Sequence, residues 1–300
     1  MTNIISFPNL GISFKINRVA FTLFGRDIYL YAIILACGMI GAVLYSIWRA
    51  KKSEGIGSDD IIDYGISAII CAIIGARLYY VLTTLDNYHS FVDVIAIWNG
   101  GLGFYGGLIG GVLAVIVLSK IKKINVFKVF DLASPALLLG QLVGRWGNFV
   151  NGEAYGSCDF FEFFGFKLNL SGCKNLPWLM KIENISDGVA VSSVLCQPTF
   201  LYESLWNIVG FVLLNVLYKK KKFDGQIFLY YLCWYGFGRM IIEGLRTDSL
   251  YVGNIKISQL VGLLCFIVCA VLIFVGPKIF KSKNNDNILA VEENQNGENN

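Results

Sequence analysis

The run Ile28-Tyr29-Leu30-Tyr31-Ala32-Ile33-Ile34-Leu35-Ala36-Cys37-Gly38-Met39-Ile40-Gly41-Ala42-Val43-Leu44-Tyr45-Ser46-Ile47-Trp48 carries no charged side chain. At about 1.5 Å per residue, roughly 20 helical residues cross the ~30 Å hydrocarbon layer of a bilayer, so this stretch is long enough to span it. A second run of equal clarity lies at 257–277, with Lys256 at its edge. Five more, at 61–83, 102–119, 131–149, 199–218 and 226–244, bring the expectation to seven. The weakest is 131–149, interrupted by Asp131, Pro135, Gln141 and Arg145. Polar or irregular backbone survives at membrane depth only where protein or a cavity shields it, so this segment is expected to face the interior.

Charge provides a separate check. Arg49, Lys51 and Lys52 follow the first run; Lys120, Lys122, Lys123 and Lys128 separate the third and fourth. Lys219 to Lys222 follow the fifth, and Lys278, Lys281 and Lys283 follow the seventh. Basic loops collect on the cytoplasmic side. All four fall on one side only with seven crossings, which puts the N-terminus outside and the C-terminus in the cytoplasm.

Composition agrees: 55% of the 300 residues are hydrophobic and 15% charged, against about 25% charged in soluble domains. The fold class read from this is an all-α polytopic membrane protein with about seven transmembrane helices and a small extracytoplasmic domain. Residues 1–149 would hold four helices and a Gly-rich segment at 99–107, and 199–280 three more. Between them, 150–198 is the longest connection and the expected outer domain, where the alternation at 166–170 hints at a strand. Residues 281–300, rich in Asn and Glu, read as a disordered cytoplasmic tail. The start lacks the basic, apolar and small-residue succession of a removable signal peptide. No zinc-type Cys/His cluster, P-loop or dinucleotide fingerprint is found. His89, the one histidine, reads as a surface loop residue. Cys158, Cys173 and Cys196 share the polar segment and allow one disulfide among them, with the pair left open.

The informative residues are ionisable groups placed in or beside apolar runs: Arg77, Arg145, Glu203, Arg239 and Glu243. A charge at the bilayer centre costs roughly 2.5–3.5 kcal/mol on insertion scales and normally faces the bundle interior or an aqueous cavity. Snorkelling to the headgroups or structural pairing is the bland alternative for each. Arg239, Glu243 and Arg246 share one helical face if the helix continues that far. Glu153 follows Arg145 with Asn148 and Asn151 between them. Both series lie toward the outer ends of their helices and are expected to converge on one site. Arginine forks held by glutamates suit a phosphate, and in a membrane the obvious small anion is a phospholipid headgroup. The run Asn99-Gly100-Gly101-Leu102-Gly103-Phe104-Tyr105-Gly106-Gly107 would admit close approach of a ligand. Gly106, Gly107, Gly110 and Gly111 equally suit tight helix packing.

The stretch Gly144-Arg145-Trp146-Gly147-Asn148-Phe149-Val150-Asn151-Gly152-Glu153-Ala154-Tyr155-Gly156 resembles the signature of the prolipoprotein diacylglyceryl transferases. Segment 99–107, the block Gln197-Pro198-Thr199-Phe200-Leu201-Tyr202-Glu203, and Tyr235-Gly236-Phe237-Gly238-Arg239 on through Glu243 to Arg246 resemble the same family in the same order. The resemblance implies a bacterial plasma-membrane enzyme with seven transmembrane helices and an outer domain. It would move the diacylglyceryl group of phosphatidylglycerol onto the lipobox cysteine of a prolipoprotein signal peptide, releasing glycerol 1-phosphate. Its surroundings would be membrane lipids; no nucleic acid or cofactor is implied.

Residue by residue, the resemblance makes Arg145 and Arg239 the essential arginines, with Asn148, Asn151, Glu153 and Gly156 as companions of the first. Glu243 and Arg246 are the paired residues beyond the second, Tyr235 a site tyrosine, Glu203 a family glutamate, and Tyr31 a first-helix tyrosine, followed here by Ala32 in place of the usual Gly. Many members carry a histidine in the Gly-rich block; this chain has Tyr105 there. A free tyrosine titrates near 10 against about 6.5 for histidine, so a Tyr105 base needs strong local perturbation.

The reaction expected is displacement or headgroup elimination at glycerol C3, with Arg145 and Arg239 on the phosphate and Glu153, Glu243 or Tyr105 taking the thiol proton. Gly106 would let lipid approach closely. A transporter of anionic lipid or a non-catalytic scaffold are the rival readings.

Overall fold

The computed structural model describes residues 2–85, 90–170, 172–186 and 189–297, so His89 lies outside the described residues. The chain opens with four strands, β1 (Thr2–Phe7), β2 (Ile12–Asn17), β3 (Val19–Leu23) and β4 (Arg26–Tyr29). Then come α1 (Leu30–Ser53), α2 (Ser58–Thr83), the short α3 (Phe91–Ile95), α4 (Phe104–Lys122) and α5 (Val126–Asn151). Strands β5 (Phe160–Phe163), β6 (Phe166–Asn169), β7 (Met180–Ser186) and β8 (Val189–Cys196) precede α6 (Thr199–Tyr218) and α7 (Gln226–Ile242). A small hairpin, β9 (Tyr251–Val252) and β10 (Ile255–Lys256), leads into α8 (Ile257–Gly297).

Among the described residues, six helices are long and apolar enough to cross a membrane: α1, α2, α4, α5, α6 and the stretch Ile257–Pro277 of α8. The expected seventh, at 226–244, is the 17-residue α7, which stops at Ile242. Beyond it the amides of Gly244, Leu245 and Arg246 bond the carbonyls three residues back, at 3.0–3.1 Å, so the helix tightens into turns.

The chain is mostly helical, as a polytopic membrane protein of the α class is, and it also carries a four-stranded antiparallel sheet with the order β2-β1-β7-β8. Thr2 to Ser6 pair with Ile185 to Lys181, so the N-terminal strands and the 150–198 segment build one sheet. Strand β1 pairs on one edge with its neighbour β2 and on the other with β7, far along the chain. The alternation at 166–170 does form a strand, β6, joined to β5 through Phe164 and Gly165, both at positive φ. Residues 281–297 continue α8. Adding a residue to an existing helix lacks the entropic cost of nucleating one, and α8 supplies the nucleus.

The chain divides into two compact units, one of residues 1–42 with 134–300, the other of residues 43–133. In the second, α2 and α4 run antiparallel. At one end Lys122 Nζ bonds Asp60 at 2.6 Å and Asp63 at 2.7 Å; further along, the hydroxyls of Tyr64 and Ser119 meet at 3.0 Å. At the other end a Cβ on Gly106 would overlap the carbonyl of Gly75, and one on Gly110 that of Cys71. Gly107 and Gly111 have ordinary clearance. Gly106 and Gly110 are thus the small residues that let these two backbones touch.

In the first unit, Ile5, Met180, Ile182, Cys196 and Phe200 make the core beneath the sheet. A separate cluster of Leu138, Leu214, Tyr218, Ile227 and Tyr231 packs α5, α6 and α7 together. The indoles of Trp206 and Trp234 stack at 4.1 Å, and each donates to the other's backbone carbonyl, at 3.2 and 3.1 Å. Gly210 and Gly238 leave the space those rings occupy.

Candidate functional site

The site lies within the first unit, where α5 ends and α6 begins. Arg145, Asn148 and Asn151 occupy the last two turns of α5, at spacings that put the first two on one face. Gly152 then turns the chain with φ +65°, a conformation in which a side chain is strained. The turn brings Glu153 back under the helix, where its Oε1 accepts from Asn148 Nδ2 at 3.0 Å and Asn151 Nδ2 at 3.3 Å. Asn148 Oδ1 in turn accepts from Arg145 NH1 at 3.3 Å. The signature stretch is therefore one chain of hydrogen bonds, from Arg145 through Asn148 to Glu153.

Glu203, buried near the start of α6, is the hub. Its Oε2 lies 2.5 Å from Arg145 NH2; its Oε1 lies 3.6 Å from both Arg239 NH1 and Arg246 NH1. Three guanidiniums thus share one carboxylate. Arg239 also pairs with Glu243, one helical turn on, at 2.7 Å. Arg246 forks onto Asp248 at 2.9 and 2.7 Å. Burial alone would push the Asp248 carboxyl up, but that fork outweighs it and holds the group below the usual carboxylate range.

Two buried atoms at the hub, Glu203 Oε1 and Arg239 NH1, make no hydrogen bond among the described residues. Both residues line a small cavity with Trp206, Asn207, Tyr235, Gly238 and Ile242. A buried donor without an acceptor is costly, and a ligand oxygen would relieve it.

The remaining expected residues divide into two groups. Tyr235 lines the cavity. Gly156 is a joint: its amide bonds Gln197 O at 2.9 Å, and a bridge runs from it to Arg246. A Cβ there would press on Thr199, Gln197 and Leu245, so its smallness locks the ends of α5, α6 and α7 together. Tyr31 lays its ring against the backbone of Gly147, in the signature helix. Tyr105 and Gly106 belong to the second unit. There Tyr105 is half exposed beside Tyr79 and Phe104, and Gly106 packs on Gly75.

Arg77, in the same unit, donates to the carbonyls of Asp93, Val94, Gly100 and Gly101 at 2.6–3.0 Å. Backbone carbonyls take four of its five donors, and it shapes the Gly-rich segment, whose Gly100 and Gly101 have positive φ.

Sequence reasoning missed Trp206, Asn207 and Asp248. Asp248 carried a signal, sitting two residues past Arg246, whereas Trp206 and Asn207 read as ordinary helix.

Fold and site together define a polytopic membrane protein with an inward-facing cluster of arginines and carboxylates. A family model described as LGT, prolipoprotein diacylglyceryl transferase, matches residues 18–275. The chain belongs to that family. A phosphatidylglycerol–prolipoprotein diacylglyceryl transferase of Enterococcus faecalis is 42% identical over 265 residues, covering 87% of this chain and 91% of that one. One from Clostridioides difficile is 40% identical over 277 residues, covering 92% of this chain and the whole of its own. A third, from Listeria welshimeri, is 39% identical over 254 residues, covering 84% and 87%.

Proposed function

We propose that this protein transfers the diacylglyceryl group of phosphatidylglycerol to the lipobox cysteine of a prolipoprotein, in a bacterial plasma membrane. The observation that carries the reading is the convergence of Arg145, Arg239 and Arg246 on Glu203, with donor and acceptor capacity left over at the hub. A phosphodiester oxygen fits between such forks. As the bond between glycerol C3 and the phosphate oxygen breaks, charge grows on the departing glycerol 1-phosphate, where fixed guanidiniums in a water-poor site act most strongly. The cysteine sulfur forms the new C–S bond at that carbon, and its proton leaves to a base.

Glu153 is exposed and accepts hydrogen bonds from amides. Glu243 is buried and taken up by Arg239. That difference favours Glu153 as the proton acceptor. Tyr105 stays as the alternative at the position where many relatives have histidine. Asn148 and Asn151 hold Glu153, Tyr235 borders the lipid headgroup, and Tyr31, Gly106 and Gly156 serve through packing.

We also read seven crossings, with the N-terminus outside, the C-terminus in the cytoplasm and the strand-bearing segment extracytoplasmic. The basic clusters support this, and pairing geometry adds to it. Strand β1 pairs with β7, so an even number of crossings separates them, and α1, α2, α4 and α5 provide four. Gly156 bridges Arg246, so α6 must be matched by a return through α7.

Replacing Arg145 or Arg239 by Ala should abolish lipidation of a lipobox peptide from labelled phosphatidylglycerol, with the protein still accumulating. Near-normal release of glycerol phosphate by either variant would sink the assignment.

A further inference from the structure

Lys256 has no solvent exposure, yet none of the chemistry above uses it. It closes the β9–β10 hairpin opposite Tyr251. Its ammonium donates to the carbonyl of Glu243 at 3.0 Å and to that of Arg246 at 2.7 Å. These carbonyls belong to the turn that ends α7. A helix leaves its last carbonyls unpaired and its C-terminus partly negative, so a cation is favourable there.

A buried ammonium also needs a counter-charge. Glu162 supplies one, its Oε2 3.9 Å from Nζ and held by the Tyr251 hydroxyl at 2.9 Å. The Glu162 backbone is tied to the same turn: its amide bonds Gly244 O at 2.9 Å, and its carbonyl accepts from Gln259 Nε2 at 2.8 Å. Gln259 reaches on to Met240 O at 3.3 Å. Backbone carbonyls at 240, 243, 244 and 246 are thereby all engaged from β5, β10 and the first turn of α8.

We propose that Lys256, with Glu162 as counterion, is a positioning residue that fixes the Glu243–Arg246 turn. It thereby holds the carboxylate of Glu243 and the guanidinium of Arg246 in place around Arg239 and Glu203. The proposal rests on the reading of that cluster as the phosphate site. It assigns Lys256 no contact with lipid. Removing the ammonium frees the turn, so Arg246 no longer meets Glu203 at a fixed distance, and the loss falls on phosphatidylglycerol rather than on the peptide.

The test uses the full-length enzyme in lipid–detergent micelles with labelled phosphatidylglycerol and a lipobox peptide. Lys256→Met should raise the KM for phosphatidylglycerol at least tenfold and leave that for the peptide within twofold. Amide exchange over 243–246 should accelerate about tenfold, and Lys256→Arg should recover part of the loss. If Lys256→Met fails to accumulate, the pair Lys256→Met with Glu162→Gln removes both charges together and takes its place. A phosphatidylglycerol KM within twofold of the parent overturns the proposal, as does an equal rise in both KM values. Arg246→Ala and Glu243→Gln run alongside. Should both retain full turnover, it is the phosphate-site reading that has failed, and the role of Lys256 with it.

Discussion

Two buried arginine settings in this chain invite comparison. Arg77 gives its donors to four backbone carbonyls, all within one compact unit. Arg239 divides its donors between two carboxylates and keeps a buried NH1 without a hydrogen bond. Both are arginines in apolar runs. The first is met by backbone oxygens of its own unit. The second keeps one buried donor in reserve. Pairing with backbone marks structure, whereas a surplus donor beside a shared carboxylate is what the proposed phosphate site requires.

Substitution can break that contrast. Arg239→Ala should cut turnover by about 10²–10³, the range for losing one charge-stabilising donor, with a stability loss that comes from the Glu243 carboxylate it strands. Arg77→Met should spare turnover and fall on stability alone. A buried acceptor left unsatisfied costs about 1–3 kcal/mol, and some of the four carbonyls can turn to water, so a stability loss of a few kcal/mol is expected, read by thermal unfolding in detergent. An Arg77→Met protein of parental stability would remove the distinction.

The glycines sharpen it at a smaller scale. Gly106→Ala forces α2 and α4 apart and should cost about 1–3 kcal/mol, as overpacking does. Gly107→Ala should fall within about 0.5 kcal/mol, as substitutions away from tight contacts do. The smallest effect lies in the strand-bearing region. Burial, with Cys173 alongside, pushes the Cys158 thiol up to about 12. A free thiol titrates near 8.5, so the native state keeps a proton that the unfolded chain has released. Cys158 therefore contributes stability that is present below about 8.5 and fades as pH climbs toward 12. Iodoacetamide at pH 8 should leave Cys158 unmodified in native protein and alkylate it after denaturation; fast native labelling would contradict this burial.

The helices were legible because a 20-residue apolar run has few alternatives, and Arg145 and Arg239 because a charge inside such a run needs a reason. The sheet was not, since Asn3 and Ile5 alternate with their neighbours over too few residues to signal, and their partners Asn184 and Ile182 stand far along the chain. The end of α7 escaped because tightening at Gly244 is tertiary, set by Glu162 and Lys256. Lys256 read only as the edge of the last span, and Glu162 carried no signal of its own. For Gly106 the residues allowed either packing or ligand approach, and the contact with Gly75 supplies the packing role.

The union of β1 with β7 also sets a timetable for biogenesis. Strand β1 leaves the ribosome first, yet its partner follows roughly 170 residues later, which at about 5–20 residues per second is a wait of about 10–30 s. Through that interval the edge of β1 that will meet β7 stays open while four helices enter the bilayer. Sheet closure is thus a late event, and the hub that Arg145 forms with Glu203 is later still, because α6 is made only after β8. A nascent chain arrested before residue 180 would be anchored in the membrane and inert.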